Sequence, residues 1–355
     1  MPLWALVIPI AAAGLLAAAL ALPTSAAMAI ACVAALAGAV VAAVHHAEVV
    51  AHRVGEPFGT LVLSLAITII EVALILSMML ADARAKTTLP RDTIFSAVMI
   101  ICNGVVGLCL LVGGLRHREQ SFHVEGANTG LATLIALTTL SLVLPAFTTS
   151  SAGPTYTVAQ LAFAAIASLV LWGMFVFVQT VRHRDYFLPV GTAADESVHS
   201  SAPSTRLAMA SSGMLLVALV AVVGLAKVLS PVIEVAVAAA GAPQAAIGIA
   251  IAMLVLLPET AAAVRAAIAN RLQTSLNLAF GSALASIGLT IPAVAFASVV
   301  IGVPLELGLQ PKDLVLLVLS FVVASITLVS GRTHVMQGIV HLAIFAAFVF
   351  FALVP

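Results

Sequence analysis

Residues 66–81 read AITIIEVALILSMMLA, an apolar run interrupted by one carboxylate, Glu71. The run lacks the period-two alternation of a membrane barrel strand, and in hydrocarbon the other way to satisfy every backbone group is a helix. The stretch therefore predicts a transmembrane helix with an acid near its middle. A charge at that depth costs ~3 kcal/mol or more, so it calls for a functional explanation.

The rest of the chain extends the pattern. Of its 355 residues 63% are hydrophobic and 8% charged, where soluble domains carry about 25% charged residues. Apolar runs recur between clusters of Pro, Gly and polar residues, and runs of about 20 residues cross ~30 Å of hydrocarbon. They predict an all-α polytopic membrane protein of about eleven transmembrane helices, at 3–21, 25–44, 57–81, 93–115, 128–150, 157–181, 207–230, 243–268, 274–301, 311–330 and 335–354. The opening MPLWALVIPIAAAGLLAAALAL has no basic leader region and reads as a retained first span. Net charge is zero, so nothing points to nucleic acid, and the expected partners are the lipid bilayer and small ions. Cys32, Cys102 and Cys109 lack zinc-type spacing and read as buried small hydrophobes.

The longest hydrophilic stretch, VRHRDYFLPVGTAADESVHSSAPSTR at 181–206, divides the chain. The expected layout is an N-terminal transmembrane helix at 1–24, a five-helix repeat at 25–181, a cytoplasmic linker at 182–206 and a second five-helix repeat at 207–355. Five spans per half force opposite orientations, so the halves would form inverted repeats, as in many secondary transporters. Arg53, Arg116, Arg118, Arg182, Arg184, Arg206, Arg271 and Arg332 fall on one side. Arg84, Lys86, Arg91, Lys227 and Lys312 fall on the other, which favours a cytoplasmic N-terminus and an external C-terminus.

Each half has one carboxylate in its second span. The partner of Glu71 is Glu259, in IAMLVLLPETAAAVRAA at 251–267. Equivalent positions in inverted halves would meet near the midplane, where such transporters bind ions. The plainer reading is that each acid ties helices together, Glu259 through Arg265. The six-residue offset, however, sets those two on nearly opposite helix faces, and Arg265 can reach the interface. Thr68 shares a face with Glu71, Ser64 precedes both, and Pro258 frees a carbonyl beside Glu259. Asn103, Asn277, Ser282 and Ser286 follow in the next spans. Oxygen donors suit hard cations such as Ca²⁺ or Na⁺. For each hydroxyl taken alone, close helix packing is a sufficient explanation.

Ahead of Glu71, in HHAEVVAHRVGEPFG at 45–59, His45, Glu48, His52 and Glu56 form one helical stripe. It reads equally as a cytoplasmic mouth that collects cations or senses pH, and as a solvated helix end. His341 reads as a packed or lipid-interface residue, and Glu234 as an interfacial one.

The stretches HHAEVVAHRVGEPFGTLVLSLAITIIEVALI (45–75) and LPETAAAVRAAIANRLQTSLNLAFGSALASIGLTIPAV (257–294) resemble the paired α-repeats of the cation/Ca²⁺ exchanger superfamily. Within it the resemblance is to bacterial ChaA-type antiporters of the calcium/proton exchanger branch, which GRTHVMQGIVHLAIFAAF at 331–348 also resembles. It implies α-repeats at about 45–115 and 243–301. Glu71 and Glu259 match the family's two glutamates, Asn103 its polar segment after the first, and Gly281–Ser282 its Gly-Ser pair. Glu48, Arg53, Gly55 and Gly59 fall on a motif before the first glutamate. The implied activity is exchange of Ca²⁺, Na⁺ or K⁺ for H⁺ by alternating access in a bacterial inner membrane. No cofactor is implied; the cations are cargo. Thr68-Ile69-Ile70 and Leu256-Leu257-Pro258 replace the family's Gly-Asn-Ala/Thr before each glutamate, which leaves room for monovalent cations. Three rivals stand beside antiport: a proton-uncoupled channel or uniporter, an intramembrane acid/base enzyme, and a membrane scaffold. The enzyme lacks any Asp pair within the spans.

Overall fold

The computed structural model describes residues 1–22, 25–55, 58–81, 87–188, 203–239, 243 and 245–354. Glu56, residues 82–86 with Arg84 and Lys86, and linker residues 189–202 lie outside the described residues, as do the side chains of Ser64 and Glu234. In the first half run α1 (Leu3–Ala21), α2 (Ala26–Val54), α3 (Phe58–Ala81) and α4 (Leu89–Met99). A π-helical segment, Ile100–Val105, joins α4 to α5 (Val106–His117), followed by α6 (Val124–Thr138) and α7 (Val158–Phe177). In the second half run α8 (Thr205–Ala239), α9 (Ala245–Ile268), α10 (Leu272–Ile301), α11 (Pro311–Val329) and α12 (Val335–Leu353).

The chain is a multi-pass helical membrane protein. Among the described residues nine helical stretches are long and apolar enough to span, and the bent α9 makes ten. That measure does not confirm the expected eleven; α3 is a further helix of 24 residues. Outward faces carry large apolar side chains, Leu3 at 80% and Phe296 at 74% exposure, which suits a lipid solvent. The second helix outruns its expected end at residue 44 by ten residues, so His45, Glu48 and His52 stand on α2 itself. Ser25 opens α2 by accepting from the Met28 amide at 3.2 Å, and Gly55, at φ 82°, ends it.

Packing repeats between the halves. Helix α3 lies against α10 as α9 lies against α4 and α5, and α10 against α7 as α5 against α12. Buried apolar side chains fall into two clusters. One joins α1, α2, α8 and the first part of α3; the other joins α4 to α7 with most of α9 to α12. Helix α3 belongs to both, with Ile70 and Leu74 in the first and Ile75 and Met79 in the second. So does α9, through Val255 in the first and Leu256 in the second.

The extra helix α1 is fastened by a consequence of its own sequence. Pro9 has no N–H, so the Ala5 carbonyl loses its helical donor. Nε2 of His46, fully buried on α2, donates to that carbonyl at 2.8 Å. At the far end of α9, strands β1 (Glu119–Ser121) and β2 (Arg332–His334) pair antiparallel between α5 and α12. Beside them His117 donates to the Ile268 carbonyl at 2.8 Å and Gln120 to that of Ala267 at 2.9 Å. These bonds satisfy terminal carbonyls that a helix leaves open, and they anchor the helix carrying Glu259.

Candidate ion site

Glu71 and Glu259 are 3% and 5% exposed, each on a helix shared between the two apolar clusters. Helix α9 bends by 50° between Gly248–Leu257 and Glu259–Ile268. The hinge is Pro258, which cannot bond the Leu254 carbonyl, and Glu259 is the first residue beyond it.

Both acids are served by one helix. Ser286 on α10 donates to Oε1 of Glu71 at 2.7 Å. One turn earlier Ser282 donates to Oε2 of Glu259. Two hydroxyls about 6 Å apart along α10 thus hold two carboxylates from different halves. Oε1 of Glu259 is buried and has no hydrogen-bond partner among the described residues. Thr68 is buried one turn before Glu71. Two acids with neighbouring hydroxyls form an oxygen-only set for a proton or a hard cation. No cluster of three or more His, Cys, Asp or Glu side chains occurs among the described residues, so further ligands would be hydroxyls, carbonyls or water.

Other sequence candidates go elsewhere. Arg265 does not pair with Glu259; its guanidinium lies 3.7 Å from Glu48 on α2, its side chain 69% exposed. His45 packs against Trp4 with ring centroids 4.9 Å apart, and His52 is exposed. The stripe thus splits between contacts to α1 and to α9, with Glu56 outside the described residues. Asn277 donates to the Phe187 carbonyl at 2.5 Å and accepts from Gln273 at 2.9 Å.

Asn103 is fully buried but engaged in a separate cluster. Its amide donates to Ser320 at 2.8 Å, and Ser320 donates to the Leu316 carbonyl at 2.7 Å. Nδ1 of His341 lies 3.3 Å from Asn103 Oδ1, and Thr327 lies 3.1 Å from Nε2. One assignment satisfies every group: Thr327 donates to Nε2 and Nδ1–H donates to Asn103. His341 is therefore a buried hub, fully enclosed, rather than a lipid-interface residue. Gly107 permits this, since a Cβ there would lie 2.9 Å from that of His341. Sequence reading missed the cluster. Its available signal was polar residues on the last two spans, Ser320, Thr327 and His341, whose shared face no local spacing reveals.

The profile of the sodium/calcium exchanger protein family matches residues 24–181 and 210–354. The chain is 51% identical to y4hA of Sinorhizobium fredii, provisionally assigned as an ionic transporter, over 88% of this chain and 84% of the relative. It is 35% identical to the sodium-potassium/proton antiporter ChaA of Escherichia coli, over 85% of this chain and 82% of that one. Among solved structures it superposes on native YfkE with TM-score 0.72 at 18% identity, covering 99% of this chain and 100% of that one. On the H⁺/Ca²⁺ exchanger CAX the TM-score is 0.71 at 14% identity, over 91% and 82%. At those identities the structures speak for the fold alone.

Proposed function

The chain belongs to the sodium/calcium exchanger protein family, a family of membrane transporters, and from that premise we propose that it is a secondary antiporter moving Ca²⁺, Na⁺ or K⁺ against H⁺. Glu71 and Glu259 hold either the cation or protons, with Thr68, Ser282 and Ser286 as hydroxyl neighbours. Asn103 has no ligand role in this reading, because Ser320 and His341 use its amide. The two halves, 25–181 and 207–355, alternate access to the site. The protein sits in a bacterial inner membrane with its N-terminus and linker cytoplasmic, and Glu48 and His52 flank the cytoplasmic mouth.

The observation that carries the reading is Oε1 of Glu259, a buried carboxylate oxygen without a partner among the described residues, on an acid whose serine donor lies one turn from that of Glu71. A buried carboxylate is expensive unless paired or neutralised. A proton neutralises it and a cation pairs with it, and the two compete for the same oxygens. That competition is what couples the fluxes.

The test is dissipation of a pH gradient in everted vesicles by Ca²⁺, Na⁺ and K⁺. Wild-type protein releases protons on cation addition, and Glu71→Gln and Glu259→Gln abolish the response while folding normally. Wild-type exchange in both variants would overturn the site. Cation flux indifferent to an imposed pH gradient would favour the uncoupled channel.

A further inference from the structure

Two prolines interrupt spanning helices α1 and α8, and the chain treats them differently. In α1 the carbonyl orphaned by Pro9 is taken up by His46. In α8 the corresponding residue is Pro231, and the carbonyl it cannot bond is that of Lys227. Lys227 is exposed, and among the described residues its ammonium has no hydrogen-bond or ion-pair partner. One residue therefore offers a cation and a carbonyl that lacks its helical i+4 donor.

Lys227 and Pro231 line a groove of about 790 Å³ between α1 and α8, with Leu16, Leu20, Val220 and Val223 among its apolar lining. Lys227 stands about 33 Å along α8 from Thr205, at 1.5 Å per residue. With hydrocarbon ~30 Å thick, a helix that starts at one interface brings Lys227 to headgroup level at the other. The groove follows α8 from Leu219 to Pro231, so most of its apolar lining lies on the Thr205 side of Lys227.

We propose that this groove binds an anionic phospholipid of the phosphatidylglycerol type. One acyl chain lies along the apolar lining, the phosphate pairs with the Lys227 ammonium, and a headgroup hydroxyl donates to the Lys227 carbonyl. The chemistry is complementary at each point: apolar chain to apolar wall, anion to cation, hydroxyl donor to the carbonyl that Pro231 cannot serve. The bound lipid would join α1 to α8 at the end opposite to the His46 bond.

The test uses full-length protein in nanodiscs of phosphatidylcholine with a minority of phosphatidylglycerol, followed by mass spectrometry of the lipid retained on extraction. The expected enrichment of phosphatidylglycerol is about fivefold, the factor corresponding to ~1 kcal/mol for one basic residue at an anionic surface. Lys227→Gln abolishes it and Lys227→Arg keeps it. Val220→Trp fills the groove without touching the charge and removes retained lipid of both kinds. Pro231→Ala returns a donor to the Lys227 carbonyl and reduces the enrichment of phosphatidylglycerol without abolishing it. Millimolar inorganic phosphate leaves the enrichment unchanged. No enrichment on the wild type, full retention by Lys227→Gln, or displacement by inorganic phosphate overturns the proposal.

Discussion

Ser282 and Ser286 stand one turn apart on α10 and donate to different acids, Ser282 to Glu259 and Ser286 to Glu71 at 2.7 Å. A hydroxyl that donates to a carboxylate stabilises its charged form, by about 1.5–3 kcal/mol for a charge-assisted bond. Ser282→Ala or Ser286→Ala should therefore favour the proton over the cation. The expected result at neutral pH is a rise of about tenfold in the apparent KM for the cation, with recovery at higher pH. Gradient dissipation measured across cation concentration and pH reads both, and a KM independent of pH in either variant would count against competition.

Competition also fixes a slope for the unaltered protein. Where the site holds one proton that must leave before the cation binds, apparent affinity rises tenfold per pH unit; where both acids must deprotonate, about a hundredfold. Affinity increases as pH rises, because protons are displaced. Cation binding to purified protein, followed by calorimetry at several pH values, gives this slope without any transport assay.

His341→Leu removes the centre of a saturated buried cluster, leaving Asn103 Oδ1 and the Thr327 hydroxyl without partners. Each orphaned group costs about 1–3 kcal/mol, so the melting temperature in detergent should fall by several degrees. His341→Gln, which can offer both a donor and an acceptor, should recover part of the loss. Equal melting of wild type and His341→Leu would dismiss the cluster as a stabilising element.

The bond from His46 to the Ala5 carbonyl exists because Pro9 leaves that carbonyl free. His46→Phe should destabilise the protein by about 1 kcal/mol or more. In a Pro9→Ala background, where residue 9 supplies an N–H, the same change should cost clearly less. A double-mutant cycle on thermal or denaturant unfolding measures that coupling, and additive effects would contradict it.

Glu71 was conspicuous in the sequence as the one charge in its apolar run, whereas Glu259 shares its span with Arg265 and stood out by its equivalent place in the second half. The membrane class was equally plain. Less legible was the company each residue keeps. Ser282 and Ser286 share a face by spacing, but that they serve separate acids depends on where α3 and α9 meet α10. Asn103 lies in a π-helical segment, where the α-helical period no longer says which way a side chain points. His46 lies beside the polar stripe rather than in it. Its role was encoded 37 positions away in Pro9, in the carbonyl that a proline cannot satisfy.

The two apolar clusters meet along α3, α9 and α10, the helices that carry the acids and their serines. If transport proceeds by sliding along that boundary, the boundary acts as a fault plane that tolerates neutral cargo and resists bare charge. An ionised, unfilled Glu259 would have to cross dry hydrocarbon, at a cost of several kcal/mol. A state carrying a proton or cation would not. Slippage without cargo would then be slow for the same reason that the loaded step is fast, and a leakproof exchanger would need no separate gate to enforce its stoichiometry.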